Sequence, residues 1–205
     1  MRRFLTAAVL AGAVLAASAP KAHAAYEFYV SIKGDKQGQF KGEGSRAKGQ
    51  QGWIPAIGFS FEVRSPRDAA TGQASGKRTY LPITITKEWG AASPQVFQAL
   101  VTNEVLPSVV LEFMRTNPNG EEEVYHRIRL TGAVISSIKQ YAGSQVSGAD
   151  AAKHSAATDT HELEDVSFTF QRIEIENVPG KTTAQDSFGG RDVGDVTAKE
   201  VTIPR

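Results

Sequence analysis

Apolar and polar residues alternate along most of the chain after residue 25. The first run places Tyr26, Phe28, Val30 and Ile32 on one side, with polar residues between them. A period of two is typical of a strand with one buried face. The same period returns in five later runs, at residues 57–63, 81–85, 109–113, 124–134 and 166–170. Six strands separated by turn residues predict a mostly β protein, either a barrel or a sandwich.

The last run changes parity. Its apolar positions are even over residues 166–170 and then become odd at Ile173 and Ile175. A continuous pleat keeps its apolar residues on one parity unless an extra residue is inserted. We therefore expect a β-bulge near Gln171 and Arg172.

One segment has a helical period instead. Ser93 is followed by Pro94, which is favoured at the first helical position. After it, apolar residues recur at spacings of one to four, at Phe97, Leu100, Val101 and Val105. We predict a single helix over residues 93–103, with this apolar stripe packed against one end or side of the strands.

The connecting segments are rich in Gly, Ser and charged residues. Long loops are expected at residues 34–52, 65–77 and 141–160, and the run Asn-Pro-Asn-Gly at residues 117–120 predicts a tight turn between strands. Beyond Pro179 the chain becomes rich in Gly and Asp, so residues 180–205 are expected to form an arm rather than a second domain.

The first 24 residues have the layout of a secretion signal. Arg2 and Arg3 precede an apolar run over residues 4–19, and a small-residue site follows, with cleavage expected between Ala24 and Ala25. The alternative is a membrane anchor, but the run is shorter than the roughly 20 residues that a spanning helix needs. We expect a secreted or periplasmic mature protein with no membrane segment.

Composition narrows the function classes. Removing the leader leaves 181 residues, enough for one domain with a proper core, with 20 basic and 22 acidic residues and a net charge of −2. This balance gives no indication of a nucleic-acid partner. The sequence contains no cysteine, which excludes disulfides and thiolate sites.

The histidines offer one candidate site. His154, Asp159, His161 and Glu162 are close in sequence and have side chains that bind metals. They lie in a predicted loop and lack the second histidine of a zinc-protease helix, so we expect no metal site and no cofactor. His126 lies on the apolar parity of its strand, which favours a core or interface role.

Catalytic motifs are incomplete. Gly76, Lys77 and Arg78 resemble the end of a phosphate-binding loop, but Thr71 occupies the position of its first glycine and Arg78 that of its hydroxyl residue. No Gly-x-Ser-x-Gly nucleophile elbow occurs. We expect a protein that is not an enzyme.

Two further features have structural and functional interpretations. The acidic run at residues 121–123 follows a turn and is expected to be solvated. Trp53 and Trp89 are suited to stacking on a sugar, although a role in the core or at a subunit contact is more common.

The order of these elements, and several local runs, resemble the haemolysin-coregulated protein (Hcp) family. AYEFYVSIKG at residues 25–34 resembles the family's first strand, and GWIPAIGFSFEVRSP at 52–66 the strand that leads into its protruding loop. Residues 78–116 resemble its strand, helix and strand block, and residues 124–141 and 161–179 its closing pair of long strands. The resemblance covers nearly all of residues 25–179, a single domain.

The resemblance implies a single small β-barrel of two packed antiparallel sheets with one flanking α-helix. It further implies edge-to-edge assembly into a hexameric ring with a wide pore, stacked into a tube that a sheath propels and that carries effectors. Sheath, spike and effector proteins would be partners beside the chain itself. Closed cyclic contacts and paired strand edges are consistent with such a ring.

By the same resemblance, the loop after residue 64 would reach the next ring. The residues expected to form this stacking loop are Ser65, Pro66, Arg67, Asp68, Thr71, Gly72, Gly76, Lys77 and Arg78. Its charged residues Arg67, Asp68, Lys77 and Arg78 would be available for ion pairs between rings.

The leader departs from the family, whose tubes assemble in the cytoplasm and need no signal. The leading hypothesis is a structural tube subunit. The alternative is an exported Hcp-like binding protein or effector that does not assemble into a tube, and a small hydrolase is the third hypothesis.

Overall fold

The computed structural model describes residues 28–44, 49–142 and 162–187. Strands dominate these residues, as predicted, and one helix interrupts them. The elements are β1 Phe28–Gly34, β2 Gly38–Gln39, β3 Ile54–Ala56, β4 Gly58–Ser60, β5 Val63–Arg64, β6 Thr79–Tyr80, β7 Ile83–Glu88, α1 Ser93–Val101, β8 Ser108–Thr116, β9 Glu122–Thr131, β10 Val134–Ala142, β11 Glu162–Thr169, β12 Arg172–Asn177 and β13 Thr182–Ser187.

The strands form two main antiparallel sheets. The larger has seven strands in the order β13-β12-β9-β8-β1-β2, with β3 also paired to β1, and the smaller has four in the order β10-β11-β7-β4. A separate two-stranded ribbon joins β5 to β6. The pairings among the described residues do not close either sheet into a barrel. The mostly β fold with one helix is confirmed for these residues, and the pairings show two separate sheets.

The hydrophobic core lies between the two sheets. Val30 of β1 and Leu111 of β8 come from the larger sheet, Ile85 of β7 and Phe168 of β11 from the smaller, and each has 0% of its surface exposed. Their neighbours in sequence point away from the core because successive strand residues alternate between faces. The apolar parity seen in the sequence therefore marks the residues that join the sheets.

Where the parity changes, the chain moves from one sheet to the other. β11 belongs to the four-stranded sheet and β12 to the seven-stranded sheet, and Phe170 and Gln171 lie between them. The prediction of a β-bulge near Gln171 and Arg172 is therefore wrong, because the chain passes from one sheet to the other there. A change of sheet reverses which parity faces the core, and no extra residue is needed.

The run predicted as one strand over residues 124–134 divides in the same way. β9 ends at Thr131 in the larger sheet, and β10 begins at Val134 in the smaller. Gly132, between them, has φ of +60°, a conformation that costs an L side chain about 1–2 kcal/mol. The sharp corner therefore depends on a glycine.

The helix ends earlier than predicted. Asn103 has φ of +48°, its N–H donates to the Leu100 carbonyl at 3.1 Å, and the Glu104 N–H donates to the Ala99 carbonyl at 2.9 Å. This pair of hydrogen bonds with a left-handed residue is the Schellman arrangement that ends helices. Asn103 therefore lies beyond α1, and not within it.

The predicted apolar stripe of α1 is mostly on the outside. Val96 and Ala99 are buried, in a helix that packs against β10, whereas Phe97 and Val101 are 57% and 53% exposed. Small side chains on the inner face allow the helix to approach the sheet closely, which turns its larger residues outwards. Of the predicted stripe, only Leu100 packs against the core.

The larger sheet continues past residue 179. Thr182–Ser187 form β13 and pair with β12 along its whole length. The first part of the expected arm is therefore a strand. Residues 188–205, the expected leader with Ala24 and Ala25, and the candidate metal ligands His154, Asp159 and His161 lie outside the described residues.

Candidate functional site

The loop between β5 and β6 is an ordered hairpin. Arg67 and Ala74 form an isolated antiparallel bridge, the Ser75 N–H donates to the Pro66 carbonyl at 3.0 Å, and the Asp68 N–H donates to the Gln73 carbonyl at 2.8 Å. These contacts continue the β5–β6 ribbon outwards from the body. Residues 62–79 are all exposed, so the hairpin protrudes into solvent.

Asp68 holds the tip of this hairpin. Its Oδ1 atom accepts hydrogen bonds from the Ala70 N–H at 3.0 Å, the Thr71 N–H at 2.8 Å and the Thr71 hydroxyl at 2.9 Å. The backbone and side-chain bonds from Thr71, followed by that from Ala70, hold the pKa of Asp68 below its ordinary value. Gly72 closes the turn with φ of +72°. Asp68 thus acts within its own turn.

The base of the hairpin is tied to the body by one ion pair. The Arg78 guanidinium donates from Nε and Nη2 to the Asp186 carboxylate on β13, and the Tyr80 hydroxyl donates to the same carboxylate. Burial opposes ionisation of Asp186, but the bonds from Arg78 and Tyr80 outweigh it and lower its pKa. Hydrogen bonds to Asp186 raise the pKa of Arg78. Arg78, one of the predicted loop residues, therefore anchors the loop.

An aromatic cluster lies beneath this ion pair. Phe61 stacks on Tyr80 with ring centroids 6.2 Å apart, and Phe170 meets Tyr80 edge-on at 5.6 Å. A cavity of about 180 Å³ adjoins them, between β5 and the β12–β13 edge, and includes Val63 and Ile175 in its lining. Burial is the main cause that raises the pKa of Tyr80, so its hydroxyl stays protonated as a donor to Asp186.

The outer face of the seven-stranded sheet has a ladder of paired charges. Arg127 on β9 donates to Glu112 on β8 and to Glu176 on β12, each at 2.8 Å. Two residues further along β9, Arg129 Nη1 lies 3.3 Å from Glu174 Oε1 on β12. Directly opposite residues in antiparallel strands come close enough for such pairs. The face is therefore polar but nearly neutral.

Gln50 completes this ladder at one side. Its Nε2 donates to Glu112 Oε2 at 2.5 Å, and the residue is 5% exposed. Burial of an amide is tolerated when it bonds to a charged group. The loop before β3 is thereby fixed onto the sheet.

The candidate residues His126 and Trp89 make contacts within the fold. His126 lies beside Phe113 with ring centroids 5.7 Å apart, and the Trp89 Nε1–H donates to the Leu163 carbonyl at 2.9 Å. Within residues 28–44, 49–142 and 162–187, no group of three acidic or histidine side chains is arranged to hold a metal ion. The one described helix, α1, is too short to cross a membrane.

Sequence reasoning missed the residues that fix the loop and the helix. Asp186 lies in a polar segment with no strand pattern, and the buried residues Glu104 and Glu164 look like solvated charges in the sequence. Their roles depend on partners 24 to 108 residues away in the chain. No local signal marks such partners.

This chain is similar to known proteins over most of its length. Residues 29–176 match the family described as type VI secretion system effector, Hcp. The "Major exported protein" of Pseudomonas aeruginosa is 33% identical over 168 residues, which cover 78% of this chain and 94% of that protein.

Solved structures share the fold. An Hcp crystal structure superposes with a TM-score of 0.68 at 25% identity, covering 79% of this chain and 99% of that one. The secreted protein Hcp3 of Pseudomonas aeruginosa superposes with a TM-score of 0.62 at 28% identity, covering 81% and 100% of the two chains. With the protruding hairpin, helix α1 and the two-sheet core, these matches show that the chain belongs to the Hcp family of type VI secretion system effectors.

Proposed function

We propose that this protein is a structural, non-enzymatic subunit that forms hexameric rings, which stack into a type VI secretion tube with a pore able to carry effector proteins. The match to the Hcp family over residues 29–176 carries the proposal. Sheath, spike and effector proteins of the type VI machine would be its further partners.

The paired charges on the outer face of the larger sheet support a role as pore lining. Arg127, Arg129 and their glutamate partners leave a surface that is wettable and nearly neutral. Charges that are already paired with neighbouring side chains attract a passing protein only weakly. Such a surface would let cargo enter and leave without trapping it.

The edges of the sheets support association between copies. Among the described strands, β13 and β10 each end a sheet and pair on one side only. Unpaired strand edges favour association with another strand, and ring closure satisfies them in every copy. The exposed Phe97 and Val101 of α1 add apolar surface that a neighbour would cover.

The barrel interpretation forms part of the proposal. Three strand pairs, β3–β4, β9–β10 and β11–β12, run from one sheet into the other with one or two residues between them. Strands that turn such corners are how two sheets form a barrel-like body. We also propose that the leader is cleaved before Ala25 and that the mature protein is secreted or periplasmic.

Negative-stain imaging of the purified protein, together with its mass in solution, tests the function. Six-fold rings and stacks of rings would support the tube subunit. A persistent monomer at high concentration would contradict it and favour the alternative, an exported Hcp-like binding protein or effector outside any tube. A mature N-terminus at Ala25, measured by mass spectrometry of the protein recovered outside the cytoplasm, would support the cleavage.

A further inference from the structure

The protruding hairpin carries two cations that have no anionic partner among the described residues. Of the seven arginines in the described residues, Arg67 and Arg172 lack a carboxylate within ion-pair distance there. Lys77 likewise forms no ion pair with a described residue, and both Arg67 and Lys77 are exposed. Arg78 and Arg64 are paired with Asp186 and Glu62, so the hairpin cations without a carboxylate partner are Arg67 and Lys77. The Asp68 carboxylate is bound within its own turn, and residues 65–77 keep a net positive charge.

The turn between β8 and β9 carries unpaired negative charge instead. Glu121 and Glu122 are exposed and have no cationic partner among the described residues, whereas Glu123 pairs with Arg115 at 2.7 Å. The turn is held by Asn117, whose Oδ1 accepts from the Asn119 N–H at 2.9 Å and the Glu121 N–H at 3.0 Å. The two carboxylates are thus displayed on an ordered turn.

The two charged elements lie at opposite ends of the seven-stranded sheet. Arg78 is bound to Asp186, which pairs with Ile173, and Ile173 pairs with Leu130 of β9. Glu122 lies eight residues before Leu130 in β9, which places it about 27 Å from Leu130 at 3.4 Å per residue. Lys77, the neighbour of Arg78, is therefore kept far from Glu122 of its own chain.

We infer that the cationic hairpin of one copy binds the acidic β8–β9 turn of a second copy, with Arg67 and Lys77 facing Glu121 and Glu122. The occupant is a second copy of this chain because the two surfaces have opposite charge and lie at opposite ends of one molecule. A contact between unlike ends repeats head to tail without closing, as the stacking of rings requires. This inference rests on the proposed function and names the surface that receives the stacking loop.

Charge reversal with rescue tests the pairing. In the full-length protein, R67E/K77E and, separately, E121K/E122K should lower the fraction of stacked rings at least about tenfold while single rings persist, because each variant opposes like charges at every contact. The variant with all four substitutions should restore stacking. K41E, which reverses an exposed lysine outside both elements, is the matched control and should stack as the wild type does.

Sedimentation and negative-stain imaging separate the outcomes, with circular dichroism to confirm that each variant folds. Stacks that persist in both reversed variants, or single rings that persist in the four-fold variant, would overturn the inference and leave the ring subunit intact. A wild-type protein without rings would instead overturn the proposed function, and the inference with it. Stack length should also fall as salt is added, because exposed charges are screened.

Discussion

Lys87 Nζ lies 2.6 Å from Glu164 Oε1, and the two side chains expose 2% and 0% of their surface. Ser93, the first residue of α1, donates to Glu164 Oε1 at 2.8 Å, and Gln140 of β10 donates to Oε2 at 2.6 Å. Lys87 Nζ also donates to the Ser93 hydroxyl at 3.1 Å. A buried ion pair thus joins β7, β10 and β11 to the start of the helix.

Removing the cation should destabilise the protein strongly. We expect Lys87→Met to lower the free energy of unfolding by about 3–5 kcal/mol, because Glu164 is left as a buried charge without its counterion. Arg64→Met, which breaks the exposed pair with Glu62, is the control and should lower the free energy of unfolding far less, because solvent screens an exposed pair. Equilibrium urea unfolding measures both, and equal effects would contradict the structural role of the buried pair.

Glu104 should make stability depend on pH. Burial opposes its ionisation, but hydrogen bonds from Gln37 and from the Lys36 N–H, at 2.7–2.8 Å, outweigh burial and lower its pKa. The stability it contributes is therefore full above an unfolded-state pKa of about 4.3 and is lost as the pH falls through the lower folded value.

The variant Glu104→Gln should be less stable than the wild type by about 1–3 kcal/mol at pH 7, because its amide group faces donors that need an acceptor. The difference should narrow as the pH falls below about 4, where the wild-type carboxylate becomes protonated. Urea unfolding at a series of pH values measures the two curves. A constant gap between them at all pH values would show that the Glu104 charge contributes nothing.

The ion pair at the base of the hairpin should control how often the loop opens. In Asp186→Asn, Arg78 and Tyr80 lose their charged acceptor, and we expect trypsin to cleave after Arg67 or Lys77 roughly fivefold faster. Peptide mapping by mass spectrometry locates the cuts. Glu174→Gln, on the other face of the larger sheet, is the control, and cleavage at the wild-type rate in Asp186→Asn would rule out the anchor.

Truncation of two neighbouring residues of α1 should affect folding stability to very different extents. Val96→Ala should cost about 2 kcal/mol of folding stability, because it removes buried methyl groups from a site with 0% exposure. Phe97→Ala, at a site 57% exposed, should change stability by less than about 0.5 kcal/mol. Thermal unfolding under conditions that keep the protein monomeric compares them. A larger loss for Phe97→Ala would mean that the helix faces the core through the stripe predicted from sequence.

The helix shows where pattern reasoning succeeds and fails. Pro94 and the local spacing of apolar residues place its start at Ser93 correctly, because helix initiation depends on neighbouring residues. The face it buries depends on β10, more than thirty residues away, and β10 accepts Val96 and Ala99 rather than Phe97. The loop at residues 65–77 is similar, since its place between two strands could be predicted, whereas its contact Asp186 lies in a distant polar strand.

The sequence by itself determined the mostly β character, the order of the main strands, the single helix and the family, because alternation and turn residues are local properties of a chain. Tertiary structure alone decided which strands belong to which sheet, that residues 169–172 form a corner, and which charges became partners. Lys87 with Glu164 and Arg78 with Asp186 are 77 and 108 residues apart. Such pairs form only when folding brings distant strands together, and no local pattern records them.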